Sequence, residues 1–328
     1  MKKKIKIWYT DFYQGFDPYN NYLTTLLTQS FDLEIDSKDP EYLVFSCYGQ
    51  DFLQYPDCVR IFYTGENLVP DFNLCDYAIG FHFFDFGDRY LRYPNFALME
   101  DQLEELVRRK SFGPEDLDHK NYFCNFIYSN SEADPIRDRF FHLLSRYKTV
   151  QSPGRHLKNS RELIGDRFKD DWMYSKLDFQ RKCKFSIAFE NSSSPGYTTE
   201  KIMHAFITGT VPIYWGNPEI SRDFNPEAFI NCHDFSSLDQ VVEKIIHIDT
   251  DPELYLSILN QPPFRNNELP QHLRQSRFQD FLKRILDQDN LSARRRPKYG
   301  NASNYERTLQ QKFGKRGTYL GKIRRFFS

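Results

Sequence analysis

With 328 residues the chain has room for two domains, each burying its own core. Its formal net charge of -1 gives the chain as a whole no polyanion-binding character, and no stretch approaches the roughly 20 apolar residues of a membrane span. Six scattered cysteines without C-x-x-C spacing argue against a zinc site or a disulfide framework and for reduced thiols in a cytoplasmic protein.

Taken in chain order, Met1-Lys2-Lys3-Lys4-Ile5 has the charge of a signal peptide, but Asp11, Gln14 and Asp17 interrupt the apolar run that should follow. No secretory signal is expected. Ile5–Tyr9 is predicted as a strand and Tyr19–Gln29 as a helix, with Tyr22, Leu23, Leu26 and Leu27 on one side. Tyr42–Tyr48, Val59–Tyr63 and Tyr77–Phe81 are short apolar runs between breakers and are predicted as buried strands. Leu98–Arg109 is a predicted helix. Ser111–Lys120, with Gly113 and Pro114, is a candidate linker, so a first domain is expected over 1–115.

A second alternating series follows. Tyr122–Tyr128, Thr149–Gln151, Phe185–Phe189 and Val211–Trp215 are predicted strands. Pro135–Tyr147, Thr199–Ile207 and Leu238–His247 are predicted helices. Two successive α/β series imply two Rossmann-like domains facing a cleft, the second over 116–290, with ligands outside the carboxyl ends of the strands. Pro252–Gln288 is predicted helical with breaks at its prolines.

Between Arg294 and Ser328 stand eleven basic residues and one acid, Glu306. Residues 291–328 are therefore expected to form a basic tail. Tyr319, Ile323, Phe326 and Phe327 share one face if this tail is helical, which suits an anionic membrane surface.

The chemistry concentrates between Phe185 and Phe235. A strand ends at Phe189, a polar turn crosses Ser192 to Tyr197, and Thr198 or Thr199 is placed to cap a helix opening with Glu200-Lys201. Free N–H groups at such a helix start favour an anion. Lys201 opposes the helix dipole there, a local rule broken in the way functional sites break them. An ordinary surface lysine fits the spacing equally well. The aromatic residues from Trp8 to Tyr19 are placed either to pack the first domain or to stack on sugar rings. Asp249-Thr250-Asp251 has Asp-x-Asp spacing and is read as a turn. His82, His142, His204 and His233 do not cluster at ligand spacing.

The blocks Phe189-Glu190-Asn191, Gly196-Tyr197-Thr198-Thr199-Glu200-Lys201, Val211-Pro212-Ile213-Tyr214-Trp215-Gly216 and Asp223-Phe224-Asn225-Pro226 closely resemble the signature of the α-1,3/4-fucosyltransferases, glycosyltransferase family 10. Phe62-Tyr63-Thr64-Gly65-Glu66-Asn67 and Pro135-Ile136-Arg137 extend the resemblance over roughly residues 5 to 290. The resemblance implies a GT-B fold with an N-terminal acceptor domain and a C-terminal GDP-fucose domain. It implies transfer of fucose with inversion, to N-acetylglucosamine or glucose of an oligosaccharide or lipid-linked surface glycan such as lipopolysaccharide. Glu66 matches the proposed general base. Arg137 and Lys201 match the phosphate contacts, Asn191 and Tyr197 contacts near the nucleotide sugar, and Glu200 a carboxylate on donor hydroxyls. Cations of the protein rather than an essential divalent metal are expected to stabilise the leaving group, and no specific nucleic acid is expected as a partner. One departure is the turn Ser192-Ser193-Ser194-Pro195, where family members often carry more Gly or Tyr. The competing readings are a GT-B transferase for another nucleotide sugar and a catalytically inactive glycan- or nucleic-acid-binding module.

Overall fold

A computed structural model describes residues 1–108, 111–165 and 171–313. The strands are β1 (Lys3–Thr10), β2 (Phe31–Ile35), β3 (Tyr42–Phe45), β4 (Val59–Tyr63), β5 (Tyr77–Gly80), β6 (Tyr90–Arg92), β7 (Tyr122–Asn125), β8 (Val150–Gln151), β9 (Cys183–Phe189), β10 (Val211–Trp215) and β11 (Ile230–Asn231). The helices are α1 (Tyr22–Thr28), α2 (Glu100–Val107), α3 (Pro114–Leu117), α4 (Ile136–Ser145), α5 (Trp172–Arg181), α6 (Glu200–Ile207), α7 (Leu238–Thr250), α8 (Pro252–Leu259), α9 (Gln275–Leu286), α10 (Asn290–Ala293) and α11 (Gly300–Phe313). The chain divides into two compact units, Met1–Tyr93 together with the segment from Gln275, and Pro94–Arg274.

In the first unit six parallel strands run in the order β2-β1-β3-β4-β5-β6. All four residues of β3 and of β5 are buried, as expected of parallel strands covered on both faces. Asn21 caps α1 by accepting from the Thr24 amide at 3.0 Å. The stripe of α9 that buries Phe278, Phe281, Leu282 and Ile285 packs on this unit, with Phe278 against Tyr22 and Tyr93.

The second unit is a five-stranded parallel sheet in the order β11-β10-β9-β7-β8. The order reverses between β7 and β9: the chain leaves β7 toward β8 on one side and later returns to β9 on the other. That reversal is the topological switch point, where open α/β sheets bind ligands.

The structure moves the expected boundaries. The predicted linker at 111–120 lies inside the second unit and contains α3, and the α9 segment belongs to the first unit. The basic tail is corrected most. Between Arg294 and Phe313 it is folded into the first unit. Arg296 is buried, its amide and Nε donating to the two carboxylate oxygens of Asp76 at 2.7 and 2.9 Å. Arg60 donates its amide to Asp76 at 2.8 Å and pairs its guanidinium with Glu306 of α11 at 2.8 Å. Leu309 and Phe313 pack on the cluster of Phe45, Phe52 and Phe62. The proposed membrane face, with Tyr319, Ile323, Phe326 and Phe327, lies outside the described residues. No helix among the described residues is long and apolar enough to cross a membrane.

Candidate active site

The site is built where β7 and β9 deliver the chain to the switch point. Strand β9 ends at Phe189, and Glu190 follows with none of its surface exposed. Such a carboxylate needs every lone pair answered. Its Oε1 accepts from the Thr199 amide at 2.7 Å, and its Oε2 from the Thr199 hydroxyl at 2.7 Å and the Lys201 ammonium at 2.9 Å. Glu190 therefore draws the start of α6 onto the end of β9. This explains why a lysine is tolerated in the first helical turn: its charge is answered by Glu190, not left against the helix dipole. Thr199 is the N-cap residue by position, but its hydroxyl serves Glu190 and makes no cap bond.

Backbone conformation makes the approach possible. Gly196 sits at φ +91 and donates its amide to Asn217 Oδ1 at 2.8 Å. At Gly216 (φ +152) a Cβ would lie 2.5 Å from Glu190 Cγ, so only glycine lets β10 pass this close. Tyr197 is buried, its backbone carbonyl accepting from Tyr214 at 3.4 Å.

Across the switch point, Arg137 occupies the first turn of α4. Only 1% of its side chain is exposed. Its guanidinium lies 4.4 Å from the Tyr128 ring centroid, donates to the Asn130 carbonyl at 2.6 Å and reaches Asn191 Oδ1 at 3.4 Å. Its Nε has no hydrogen-bond partner and lies 3.7 Å from Asp138. A buried donor without a partner calls for an explanation; Arg60 Nη2 and Arg294 Nε share the condition. Asp138 is held in turn by His156 at 2.8 Å.

The electrostatics follow from burial and pairing. Burial raises the Glu190 pKa, and Lys201 works against it. Burial works against the charged form of Lys201, but Glu190 and Glu200 outweigh it and raise its pKa. Glu200, the first residue of α6, is raised by burial, yet Lys201, Lys176 and His204 bring it down to about 2. Glu200 and Lys201 are thus held in their charged forms side by side, fixed charges that need not reorganise when an anion arrives.

Of the sequence-predicted residues, the structure brings Arg137, Asn191, Tyr197, Glu200 and Lys201 together around the start of α6. Arg137 is more deeply committed to neighbours than a free phosphate clamp would be. Glu66 belongs to the first unit. It lies three residues beyond the carboxyl end of β4, its amide donating to the Thr64 hydroxyl at 3.0 Å and its Oε1 accepting from the Tyr48 hydroxyl at 2.8 Å. Among the early aromatic residues, Phe12 and Phe16 stack on each other at 4.0 Å, while Tyr13 and Tyr19 are exposed. Asp249 is consumed by Lys148, Lys184 and Tyr147, and Asp251 caps α8, so the Asp-x-Asp run is structural. The role of Glu190 was not assigned from sequence. The signal lay in the paired Glu190 and Lys201 on either side of a turn, which single-residue spacing does not couple.

Two parallel Rossmann-like sheets, one with a charged helix start at its switch point, define an α/β fold of the GT-B class. Residues 7–99 match the α-(1,3)-fucosyltransferase FucT N-terminal domain, and residues 117–271 match the C-terminal domain of glycosyltransferase family 10 (fucosyltransferase). The chain belongs to glycosyltransferase family 10. It is 32% identical over 311 residues to the α-(1,3)-fucosyltransferase FucT of Helicobacter pylori, covering 83% of this chain and 63% of that one. It is 28% identical over 208 residues to α-(1,3)-fucosyltransferase B of Drosophila melanogaster, covering 57% and 45%. The chain thus spans less than two thirds of the length of these relatives. A crystal structure of an α1,3-fucosyltransferase with GDP-fucose superposes with a TM-score of 0.71 at 28% identity, over 88% of this chain and 92% of that one. Another crystal structure of an α1,3-fucosyltransferase gives 0.75, over 91% and 94%.

Proposed function

We propose that this chain transfers L-fucose from GDP-β-L-fucose to a hydroxyl of a glycan acceptor, with inversion at the anomeric carbon. The observation that carries this reading is the set of charges at the switch point of the second sheet, Lys201 on Glu190 with Glu200 beside it and Arg137 opposite. It supports a site for a sugar diphosphate, because cations answer the phosphates and a carboxylate answers sugar hydroxyls.

In the reaction Glu66 takes the proton of the acceptor hydroxyl as that oxygen bonds to the fucose anomeric carbon. The bond from that carbon to the β-phosphate oxygen breaks, and both its electrons leave with GDP. Arg137 and Lys201 meet the charge that grows on the phosphate. Tyr48 fixes the Glu66 carboxylate by one hydrogen bond and leaves its other oxygen for the acceptor. Asn191 and Tyr197 line the donor, and Glu200 accepts from the sugar hydroxyls.

The acceptor is N-acetylglucosamine or glucose in a surface glycan, α-1,3-linked in the product. The leaving group departs with protein cations in place of an essential divalent ion, so substantial activity survives EDTA. Lys315, Arg316, Lys322, Arg324 and Arg325 bring the enzyme to an anionic cytoplasmic membrane face, each worth about 1 kcal/mol near such a surface. Binding of GDP-fucose, GDP-mannose and UDP-sugars, measured side by side, tests the donor. Tightest binding of GDP-fucose is expected, and preference for another nucleotide sugar would replace the reading.

A further inference from the structure

Beside Glu66 the first unit holds an apolar cavity that the proposed reaction does not use. It measures about 330 Å³ and lies at the carboxyl ends of β3 and β4, where Phe45 and Phe62 line it. Phe52 stacks on Phe45 with ring centroids 4.3 Å apart, and Leu309 and Phe313 of α11 add to the wall. Leu68 and Val69 stand on the rim, 45% and 66% exposed. Apolar side chains left in water around an apolar cavity mark a place where something else is bound.

The lining is tied to Glu66 by three contacts. Cys47 Sγ lies 3.3 Å from the Thr64 hydroxyl, which accepts from the Glu66 amide at 3.0 Å. Tyr48, between the lining residues Cys47 and Gly49, donates its hydroxyl to Glu66 Oε1 at 2.8 Å. Leu68 donates its amide to the Glu66 carbonyl at 2.8 Å. An acceptor whose hydroxyl meets Glu66 therefore has its neighbouring atoms beside the cavity.

The chemistry of the lining decides what enters. A sugar ring brings several hydroxyls, each needing a partner when taken from water. Of the polar side chains at the edge, Asp71 already accepts from the Tyr305 hydroxyl at 3.1 Å and the Asn73 amide at 2.9 Å, and Cys47 is set against Thr64. The rest of the wall is mostly aromatic and aliphatic. The volume is that of roughly ten waters, far more than the methyl of an acetamido group fills. We propose that this cavity is an acceptor subsite for an apolar aglycone, an alkyl or lipid group carried at the reducing end of the acceptor glycan. This rests on the fucosyl-transfer reading above, with Glu66 as its base.

The test is steady-state kinetics of the full chain with GDP-fucose and the methyl and butyl glycosides of one N-acetylglucosamine-containing oligosaccharide. A buried methylene is worth about fourfold in affinity, so the KM of the butyl glycoside is expected to be at least about tenfold below that of the methyl glycoside. Binding kept through the transition state changes KM and leaves kcat as it is. Val69→Asp puts a charge on the rim at a position exposed enough to leave the fold intact, and is expected to close the gap between the two acceptors. Cys47 is the one cysteine of the six that is not buried, so its alkylation by N-ethylmaleimide reads occupancy without turnover. The butyl glycoside is expected to slow that alkylation at concentrations where the methyl glycoside does not. Equal KM values overturn the subsite, and so does a gap that persists in Val69→Asp, which puts the alkyl chain elsewhere. Equal KM values together with a Cys47 that is unreactive before any acceptor is added would assign the cavity to residues 314–328 of the chain itself. Absence of transfer from GDP-fucose to either glycoside overturns the transfer reading, and the subsite with it.

Discussion

Strand β4 carries two charged residues with opposite fates, and they stand for the two ends of the sheets. Arg60 lies at its amino end, fully buried in a cluster with Asp76, Arg296 and Glu306. Glu66 lies beyond its carboxyl end, partly exposed and held by one tyrosine. The second unit repeats the carboxyl-end pattern with Glu190, Lys201 and Arg137. Both clusters pair buried carboxylates with cations, so the presence of charge does not separate them. Position does. At the amino ends the cations are spent on tying the C-terminal segment to the sheet. At the carboxyl ends Lys201, with 18% of its side chain exposed, remains open to a ligand, whereas Arg60 and Arg296 are sealed from solvent.

Glu66→Gln is the sharpest way to break this comparison, and the largest effect is expected there. Turnover should fall by roughly 10² to 10⁴, the usual share of a general base, with GDP-fucose affinity and melting temperature nearly unchanged. A folded variant with wild-type turnover removes Glu66 from the chemistry. Next comes Asp76→Ala at the amino end. Stranding Arg60 and Arg296 should cost about 3–5 kcal/mol of stability by denaturant titration, while turnover of the protein that remains folded is kept. Loss of turnover with stability intact would merge the two ends into one site.

Truncation separates the part of the C-terminal segment up to Phe313 from the residues beyond it. A chain ending at Ala293 should fail to fold, since it lacks Arg296 and Glu306. A chain ending at Phe313 should fucosylate soluble acceptors normally and lose salt-sensitive sedimentation with anionic vesicles. Equal sedimentation of that chain and the full one removes the membrane proposal.

The smallest effect is expected from His204→Gln. The folded pKa of His204 lies below its ordinary value of 6.5, at about 3, because of burial and Lys176. Its stability contribution is therefore present above about pH 6.5 and is lost as the pH falls, by about 1.4 kcal/mol per pH unit. His204→Gln should flatten that part of the acid limb in unfolding titrations. An unchanged slope would mean that His204 is protonated in the folded protein.

Much of the sheet architecture was legible because parallel strands buried on both faces are short apolar runs, as β3, β4, β5, β9 and β10 are. Strand β2 was missed because Asp32 and Glu34 alternate with its apolar residues on a half-buried edge. Helix α5 was missed because its buried face includes Lys176 and Gln180, which hides the helical period. The motif residues around α6 were named by resemblance. That Glu190 holds Lys201, and that Lys176 meets His204, depends on contacts between elements that periodicity does not couple. The same limit explains the C-terminal segment. A run of arginines reads as solvated or surface-seeking charge until Asp76, 220 residues away, is seen to accept from Arg296.

The central claim is tested most directly by incubating the full chain with GDP-β-L-fucose and a panel of N-acetylglucosamine- and glucose-containing oligosaccharides, and reading the anomeric configuration and linkage of the product by NMR. The account predicts an α-fucoside formed with release of GDP. A β-fucoside, or transfer from another nucleotide sugar with none from GDP-fucose, would contradict it.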